Sequence, residues 1–343
     1  MTSITSWRGP FIFQKSDEPS DPHTHEPARP GSPVLEAARA SVLPAAVALF
    51  FLSGIAALSL RPKYFELTCH FRVQYFIGTV GLGLVCVALG EWASAALSLP
   101  GALLNLPALA RLWKAPRAAR GDGRRFKLML MNVYRLNRRY SLAVDGVRRH
   151  RPDVVVIQEL NDKWAKGLEC LRAEYPFADV RPMSDGSGIA LYSRLPFESL
   201  PLVLPEGDAR PGVLARISGS EVTILSIHPR APIRPGHFEL RNKMLAAGAA
   251  VLRDLVGPKI CVGDFNTTMW SRYFKDFVDQ SGLTSVREGF GVLPTWPTFM
   301  GPNWMMLPID HCLVSDDIRV VRATVGGRMG SDHLPLIVEL ELP

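Results

Sequence analysis

The chain has 343 residues, 47% hydrophobic and 21% charged, which excludes disorder over most of its length. At about 150 residues per domain, this length suggests two domain-sized units. The net charge of +7 is uneven: residues 1–128 carry 14 Lys/Arg against 8 Asp/Glu, and residues 129–343 carry 25 against 24. A nucleic-acid-binding domain usually bears its own basic patch, so the total is weak support for such a partner. The five cysteines are odd in number and lack CxxC spacing, which excludes a regular zinc cluster and argues against a disulfide framework. Cys86, Cys261 and Cys312 lie in apolar runs and read as small core residues.

Residues 1–40 are rich in Pro, Ser, His and charge and read as a disordered leader, with His23 and His25 on a solvated tail. Residues 41–60 hold no charge, and 20 such residues are long enough to cross a bilayer. Residues 73–110 form a second apolar stretch of 38 residues broken only by Glu91, too long for one span. A turn at Gly90-Glu91-Trp92 splits it into 73–90 and 92–110. The second of these contains Pro100 and Pro107, so the expectation is two or three transmembrane helices.

With three spans, the Arg61/Lys63/Arg72 loop shares a side with the basic stretch 111–127, giving 10 Lys/Arg against the leader's four. With two spans the balance is 11 against 3. Both counts put the C-terminal domain in the cytoplasm, on an inner (plasma) membrane. Residues 111–125 read as a basic juxtamembrane linker drawn to anionic head groups. Residues 126–343 alternate short β-type runs with amphipathic helices, an α/β domain. Strands are expected at 127–133, 153–158, 188–193, 213–217, 222–227, 259–265, 309–314 and 336–342, and helices at 141–149, 162–174, 237–255 and 271–280.

Several of these strands end in a group able to chelate metal or move a proton: LMLMN at Asn132, VVVIQE at Glu159, VTILSIH at His228 and KICVGDFN at Asp264 and Asn266. IDH and SDH later add Asp310, His311, Asp332 and His333. An Asn or Asp after a strand is usually a turn former. So many at strand ends of one domain, with carboxylates where burial begins, call for a neutralising partner. The oxygen donors Asn132, Glu159 and Asp332 suit Mg²⁺ or Mn²⁺. If the strand continues past Asp264, then Asp264 and Asn266 face one way: one could orient or deprotonate water, the other donate to phosphate. His333 could protonate a leaving group or donate to the phosphoryl, with Asp310 on its other nitrogen. No P-loop, dinucleotide loop or Ser–His motif competes.

At these residues the sequence resembles the endonuclease/exonuclease/phosphatase superfamily, which includes pancreatic-type deoxyribonucleases, abasic-site endonucleases, neutral sphingomyelinases and inositol-polyphosphate 5-phosphatases. The matching motifs are MNV, IQEL, GIALYSR, SIHP, VGDFN, IDH and GSDHLP in order, spanning roughly 127–342. The resemblance implies a four-layer sandwich of two packed β-sheets flanked by helices, here preceded by the transmembrane helices. By motif, Asn132 and Glu159 resemble metal-site residues and Asp332 a further acidic metal or phosphate residue. Asp264 resembles the water-activating Asp, Asn266 the phosphate-binding Asn, and Asp310–His333 the carboxylate–histidine pair. His228 resembles a second catalytic histidine. Nuclease-like members place an acid just before the GIALYSR-type strand to orient it, where this chain has Ser187 and Gly188, with Asp185 slightly earlier. His311 reads as a core or supporting histidine, Arg194 as structural, and Trp296 as a pocket wall or a packed loop aromatic.

The leading expectation is therefore a membrane-anchored, Mg²⁺- or Mn²⁺-dependent phosphoesterase acting on a phosphodiester or phosphomonoester, its partners being the bilayer and a phosphate-ester substrate such as phospholipid or nucleic acid. Protein partners are not expected. A membrane-tethered nuclease is the second reading, and a catalytically inactive tethered binding module the third; Glu159, Asp264 and His333 would be the first losses in the latter. A transporter fits least, since two or three spans with one internal acid offer little pathway.

Overall fold

In the computed structural model, residues 32–113, 123–204, 208 and 210–343 are described. Residues 1–31 of the expected leader, and 114–122 of the basic linker, lie outside the described residues. Three helices, α1 (Pro33–Leu58), α3 (Arg72–Leu89) and α4 (Trp92–Ala110), pack against one another, with the short α2 (Lys63–Thr68) in the first connection. Each of the three lies in a helical segment long and apolar enough to cross a membrane. Helix α1 starts inside the segment read as leader. Pro33 at its first turn is pre-set for a helix, and the following VLEAARA run is built of good helix formers. Gly90, with φ 76°, ends α3 in the left-handed conformation, as the expected turn requires.

The bundle is ordered inside out relative to one in water. Its buried positions are small or polar, among them Ala46, Ser53, Thr79, Ser94, Ser98, Gly101 and Asn105. Its large apolar residues face outward, with Phe51 62%, Leu84 68% and Leu99 61% exposed. Three of the inward polar groups donate within their own helices: Thr79 to the Tyr75 carbonyl, Ser98 to Ser94 and Asn105 to Gly101. Small residues let the backbones approach, and a β-carbon at Gly101 would meet Thr79 at 2.9 Å.

The rest of the chain forms β1 (Arg124–Asn132), α5 (Tyr140–His150), β2 (Val154–Gln158), α6 (Asp162–Gly167), β3 (Phe177–Arg181), β4 (Ile189–Ser193), β5 (Phe197–Ser199), β6 (Val213–Ile217) and β7 (Thr223–Ser226). These are followed by α7 (His237–Asp254), β8 (Lys259–Asp264), α8 (Arg272–Ser281), β9 (Thr284–Ser285), β10 (Asp310–Val314), β11 (Arg319–Val325) and β12 (Leu336–Leu342). Two six-stranded sheets result, ordered β11-β12-β1-β2-β4-β3 and β5-β6-β7-β8-β10-β9. Each contains one parallel pair, β1/β2 or β7/β8, among antiparallel neighbours.

Alternation along each strand decides the layers. Leu128, Leu130, Val154 and Val156 of the first sheet meet Ile224, Ile260, Val262 and Cys312 of the second in a shared core. The opposite faces bury Met129, Met131, Val155 and Ile157 beneath α5 and Trp164, and Leu225, Cys261 and Leu313 beneath α7 and α8. This is the expected four-layer sandwich. The helix expected over 162–174 breaks after Gly167 and continues as a 3₁₀ turn, with Gly167 packed against the Tyr140 ring where a β-carbon would not fit.

The helical bundle is seated on the segment that follows β8. Glu66 of α2 is fully buried and pairs with the fully buried Arg241 of α7 at 3.0 Å. Ser271 and Thr267 also donate to Glu66, and the His70 ring meets the Thr268 hydroxyl at 3.0 Å. Ser59 donates to the Trp270 carbonyl, and the Leu112 carbonyl accepts from Gly289 and Gly291.

Candidate active site

The two parallel strand pairs deliver their polar C-terminal ends to one edge of the sandwich. Asn132 closes β1 and is buried. Beside it in register stands Gln158, the last residue of β2. Glu159 follows with φ 61°, a left-handed conformation that costs a non-glycine residue roughly 1 kcal/mol or more. The turn brings its carboxylate to the Asn132 amide at 3.1 Å, while its other oxygen accepts from the Arg135 backbone.

Asp264 ends β8, directly opposite Asp310 of the antiparallel β10. Their carboxylates and the His333 ring form a buried cluster whose ligand atoms all lie within 4.8 Å of one another. His333 Nδ1 meets Asp310 Oδ2 at 2.8 Å, and its Nε2 lies 3.6 Å from Asp264. His228 Nε2 lies 3.7 Å from the same Asp264 oxygen. The Asn132 amide nitrogen touches Glu159, Asp264 and His333 at 3.1, 3.2 and 3.4 Å. Two carboxylates, those of Glu159 and Asp264, thus converge on the two hydrogens of that amide.

The electrostatics separate these groups. Burial and the Asp310 charge push Asp264 up to about 7, against the pull of His333. Burial works against a charged His333, yet Asp310 and Asp264 lift it to about 10. Asp310 is held below its ordinary value, where His333 outweighs the burial that would raise it. Burial, then Arg210 and His333, drive His228 well below the imidazole range, so it is neutral near pH 7. Its Nδ1 has no hydrogen-bond partner among the described residues, and Asp185 turns to the Ser187 backbone and hydroxyl.

An electron-rich, crowded set of oxygens is what a hard divalent cation relieves, and the donor chemistry of Glu159 and Asn132, with the Asp264 carboxylate beside them, fits one. Asp310 Oδ1 has no hydrogen-bond partner among the described residues. Asp332 stands at the rim, where its carboxylate accepts from Trp296 Nε1 at 3.1 Å.

One local expectation is corrected. Strand β8 ends at Asp264, so Asn266 is not on a continuing strand facing the same way. It adopts φ 49°, which asparagine tolerates, and its amide donates to the Pro229 carbonyl beside His228. Its backbone N–H caps Asp264 Oδ1 at 2.8 Å. His311 is a core residue whose Nε2–H donates to the Thr267 carbonyl at 2.8 Å, with its ring tilted against Phe265 and Phe274. Arg194 lies over the Tyr175 ring.

Two residues were not foreseen. Gln158 accepts from the Asp264 backbone at 2.7 Å and donates to the Ile227 carbonyl at 2.9 Å, joining the sheets directly beneath the site. Gly263 permits this approach: a β-carbon there would strike the Ile227 carbonyl and Gln158. The signal was a polar residue inside VVVIQE. Arg210 donates to the His228 carbonyl and makes no ion pair among the described residues, leaving a cation near Glu159 and His228. It lies in a Gly/Pro-rich stretch without periodicity, and no pattern marks it.

A fold of two helix-flanked sheets with this edge site defines a phosphoester-hydrolase class of architecture. The family model for the endonuclease/exonuclease/phosphatase family matches residues 129–333, and the chain belongs to that family. A 3′ phosphatase, NExo from Neisseria, solved bound to product DNA hairpin, is 22% identical. The match covers 64% of this chain and 99% of that one, with a TM-score of 0.53. TDP2 from D. rerio, complexed with single strand DNA product, is 17% identical over 63% and 99% of the two chains, TM-score 0.54. An AP endonuclease from Archaeoglobus fulgidus is 16% identical over 62% and 98%, TM-score 0.52. No curated protein matches the chain.

Proposed function

We propose that the protein is a membrane-anchored, divalent-metal-dependent phosphoesterase that hydrolyses a phosphodiester or phosphomonoester with water as the nucleophile. The observation that carries this reading is the buried Asp264–Asp310–His333 cluster with Asn132 and Glu159 at its side. Asp264, with its proton affinity raised to about 7, is suited to accept a proton from water. His333, charged at neutral pH and oriented by Asp310, is suited to donate to the phosphoryl or leaving oxygen. Glu159, Asn132 and, from the rim, Asp332 would hold Mg²⁺ or Mn²⁺, which supplies positive charge to the phosphate oxygens. Arg210 would add a second positive charge, and Asn266 would position substrate from the loop it caps. His228, neutral and lacking an orienting acid, fits a hydrogen-bonding role better than a proton-transfer role.

The inside-out bundle supports a membrane anchor, because lipid rewards outward Phe and Leu and inward Ser, Thr and Asn. The 61–71 connection and the end of α4 both touch the catalytic domain, so both belong to its side of the bilayer. With 10 Lys/Arg on that side against four in the leader, the domain faces the cytoplasm.

A substrate presented at the bilayer surface is favoured. Trp296, paired with Asp332, starts a hairpin-like excursion that returns at Leu307. Its tip exposes Phe299 (72%), Met300 (44%) and Trp304 (47%), and the Trp304 carbonyl accepts from Gln74 in the first turn of α3. Apolar side chains at that level suit head groups better than a nucleic-acid backbone. The named nucleic acids of the structural neighbours keep a tethered nuclease as the second reading. A hydrolysis screen of the full chain with Mg²⁺ should separate them, comparing sphingomyelin, phosphatidylinositol phosphates, DNA, RNA and bis-nitrophenyl phosphate. Cleavage of lipid substrates with intact DNA and RNA is expected; the reverse pattern overturns the lipid reading, and no turnover of any substrate overturns the enzyme reading.

A further inference from the structure

A cavity of about 450 Å³ opens where the helical bundle meets the catalytic domain, away from the Asp264 cluster. One wall is apolar and belongs to the bundle, through Ala57, Leu104 and Pro107. The other belongs to the loop after β8 and to α8, through Met269, Trp270 and Phe274. Arg72, Arg111 and Lys275 also line it. Asp279 and Glu288 complete the lining on exposed positions, yet none of the three cations forms an ion pair among the described residues.

The positive charge is held there by neutral partners. Arg72 is 5% exposed and spends its guanidinium on the Ala56 and Leu104 carbonyls, with Nε unpartnered among the described residues. Trp270 is 3% exposed, and its indole N–H has no acceptor among the described residues. Lys275 reaches the Ser59 hydroxyl at 3.1 Å, and burial with the neighbouring Arg72 and Arg111 lowers its proton affinity. Buried donors and like charges gathered against an apolar wall suit an anion with an apolar tail.

We propose that this cavity binds the phosphate head group of an anionic phospholipid, with Arg72, Lys275 and Arg111 around the phosphate, Trp270 donating to an oxygen, and the acyl chains along α1 and α4. The lipid source follows from the place: the cavity lies at the domain-side ends of helices suited to a bilayer, where basic pockets meet anionic head groups. The inference uses the membrane reading of the bundle but not the catalytic one. Because Met269 and Trp270 directly follow the Asn266–Thr268 turn, the bound lipid would also brace the loop behind the catalytic edge.

The test uses the full chain in dodecyl maltoside micelles, offered phosphatidylglycerol or phosphatidylcholine with the same acyl chains, and native mass spectrometry to count bound lipid. The wild type should retain phosphatidylglycerol at least about tenfold better than phosphatidylcholine. Lys275→Gln with Arg111→Gln should bring that ratio close to one, while Lys275→Arg should keep it. These positions spare Arg72, whose helix contacts are structural. Lys63→Gln, on the same side but outside the cavity, should leave the ratio unchanged. An equal loss in Lys63→Gln would overturn a defined site in favour of diffuse surface charge. Displacement of phosphatidylglycerol by millimolar inorganic phosphate would overturn the lipid in favour of the free anion. Equal retention of both lipids by the wild type would overturn the proposal outright.

Discussion

Glu66 and Arg241 meet at 3.0 Å with neither side chain exposed, joining the connection between the first two long helices to a helix of the catalytic domain. Arg241 also donates to the Asn266 carbonyl, so the pair stands one hydrogen bond from the catalytic edge. Breaking a buried pair from one side strands the remaining charge, at about 3–5 kcal/mol. Glu66→Gln should therefore lower the Tm of the full chain in detergent by several degrees. A Glu66→Gln, Arg241→Met double variant should recover much of the loss, since the stranded charge is gone. Unchanged Tm in the single variant would show the pair to be dispensable for docking.

The catalytic domain should fold without its helices. Its three core clusters involve only residues beyond 123, and the bundle contributes only to the small cluster around Ala56, Cys69, Leu112 and Trp270. A fragment of residues 121–343 should unfold cooperatively by calorimetry, with Arg241, Met269 and Trp270 newly exposed to water. Aggregation without a cooperative transition would mean that the bundle is part of the folding unit.

His333 and Asp310 should act as one unit. His333→Ala should lower kcat roughly 10²- to 10⁴-fold with little change in metal affinity. Asp310→Asn removes the main charge that lifts His333, so the basic limb of its pH–rate profile should move down from the alkaline range toward ordinary imidazole values. The double variant should be little worse than His333→Ala. A nitrophenolate leaving group should partly rescue both if a proton to the leaving oxygen is what was lost. Fully additive losses would separate the two residues.

Mg²⁺ should stabilise the protein more at pH 8 than at pH 5. Asp264 titrates near 7 in the fold, above the roughly 3.9 of an unfolded carboxyl. Its contribution is then complete below about pH 4 and is lost as pH rises toward 7. A cation that competes with that proton restores stability where the site is ionised. Tm measured with Mg²⁺ and with EDTA at both pH values checks this; an equal or larger gain at pH 5 would remove Asp264 from the cation's surroundings.

How much of this was readable beforehand depended on burial. Strands with continuous or alternating apolar runs, such as Val154–Gln158 and Leu336–Leu342, were plain in the sequence. The four strands that escaped, Phe177–Arg181, Phe197–Ser199, Thr284–Ser285 and Arg319–Val325, are the four sheet edges, half-exposed and weakly patterned. Asn132, Glu159 and Asp264 were legible because a polar residue ends an apolar run, Asp310 and His333 through the IDH and SDH motifs, and the fold brings all five to one edge. Asn266 was misplaced because a left-handed turn leaves no mark on hydrophobic periodicity. Arg210 and the Glu66–Arg241 pair were invisible for a different reason: they exist only through contacts distant in sequence.

The central claim is that this edge hydrolyses a phosphoester with a divalent metal, and Glu159 tests it most directly. Glu159→Gln keeps the side chain's shape and removes its charge, so the fold should persist and Mg²⁺ binding by isothermal titration should weaken. Turnover of bis-nitrophenyl phosphate by the full chain should require Mg²⁺ or Mn²⁺, stop with EDTA, and be abolished in Glu159→Gln. Hydrolysis that survives both EDTA and the substitution would contradict the account.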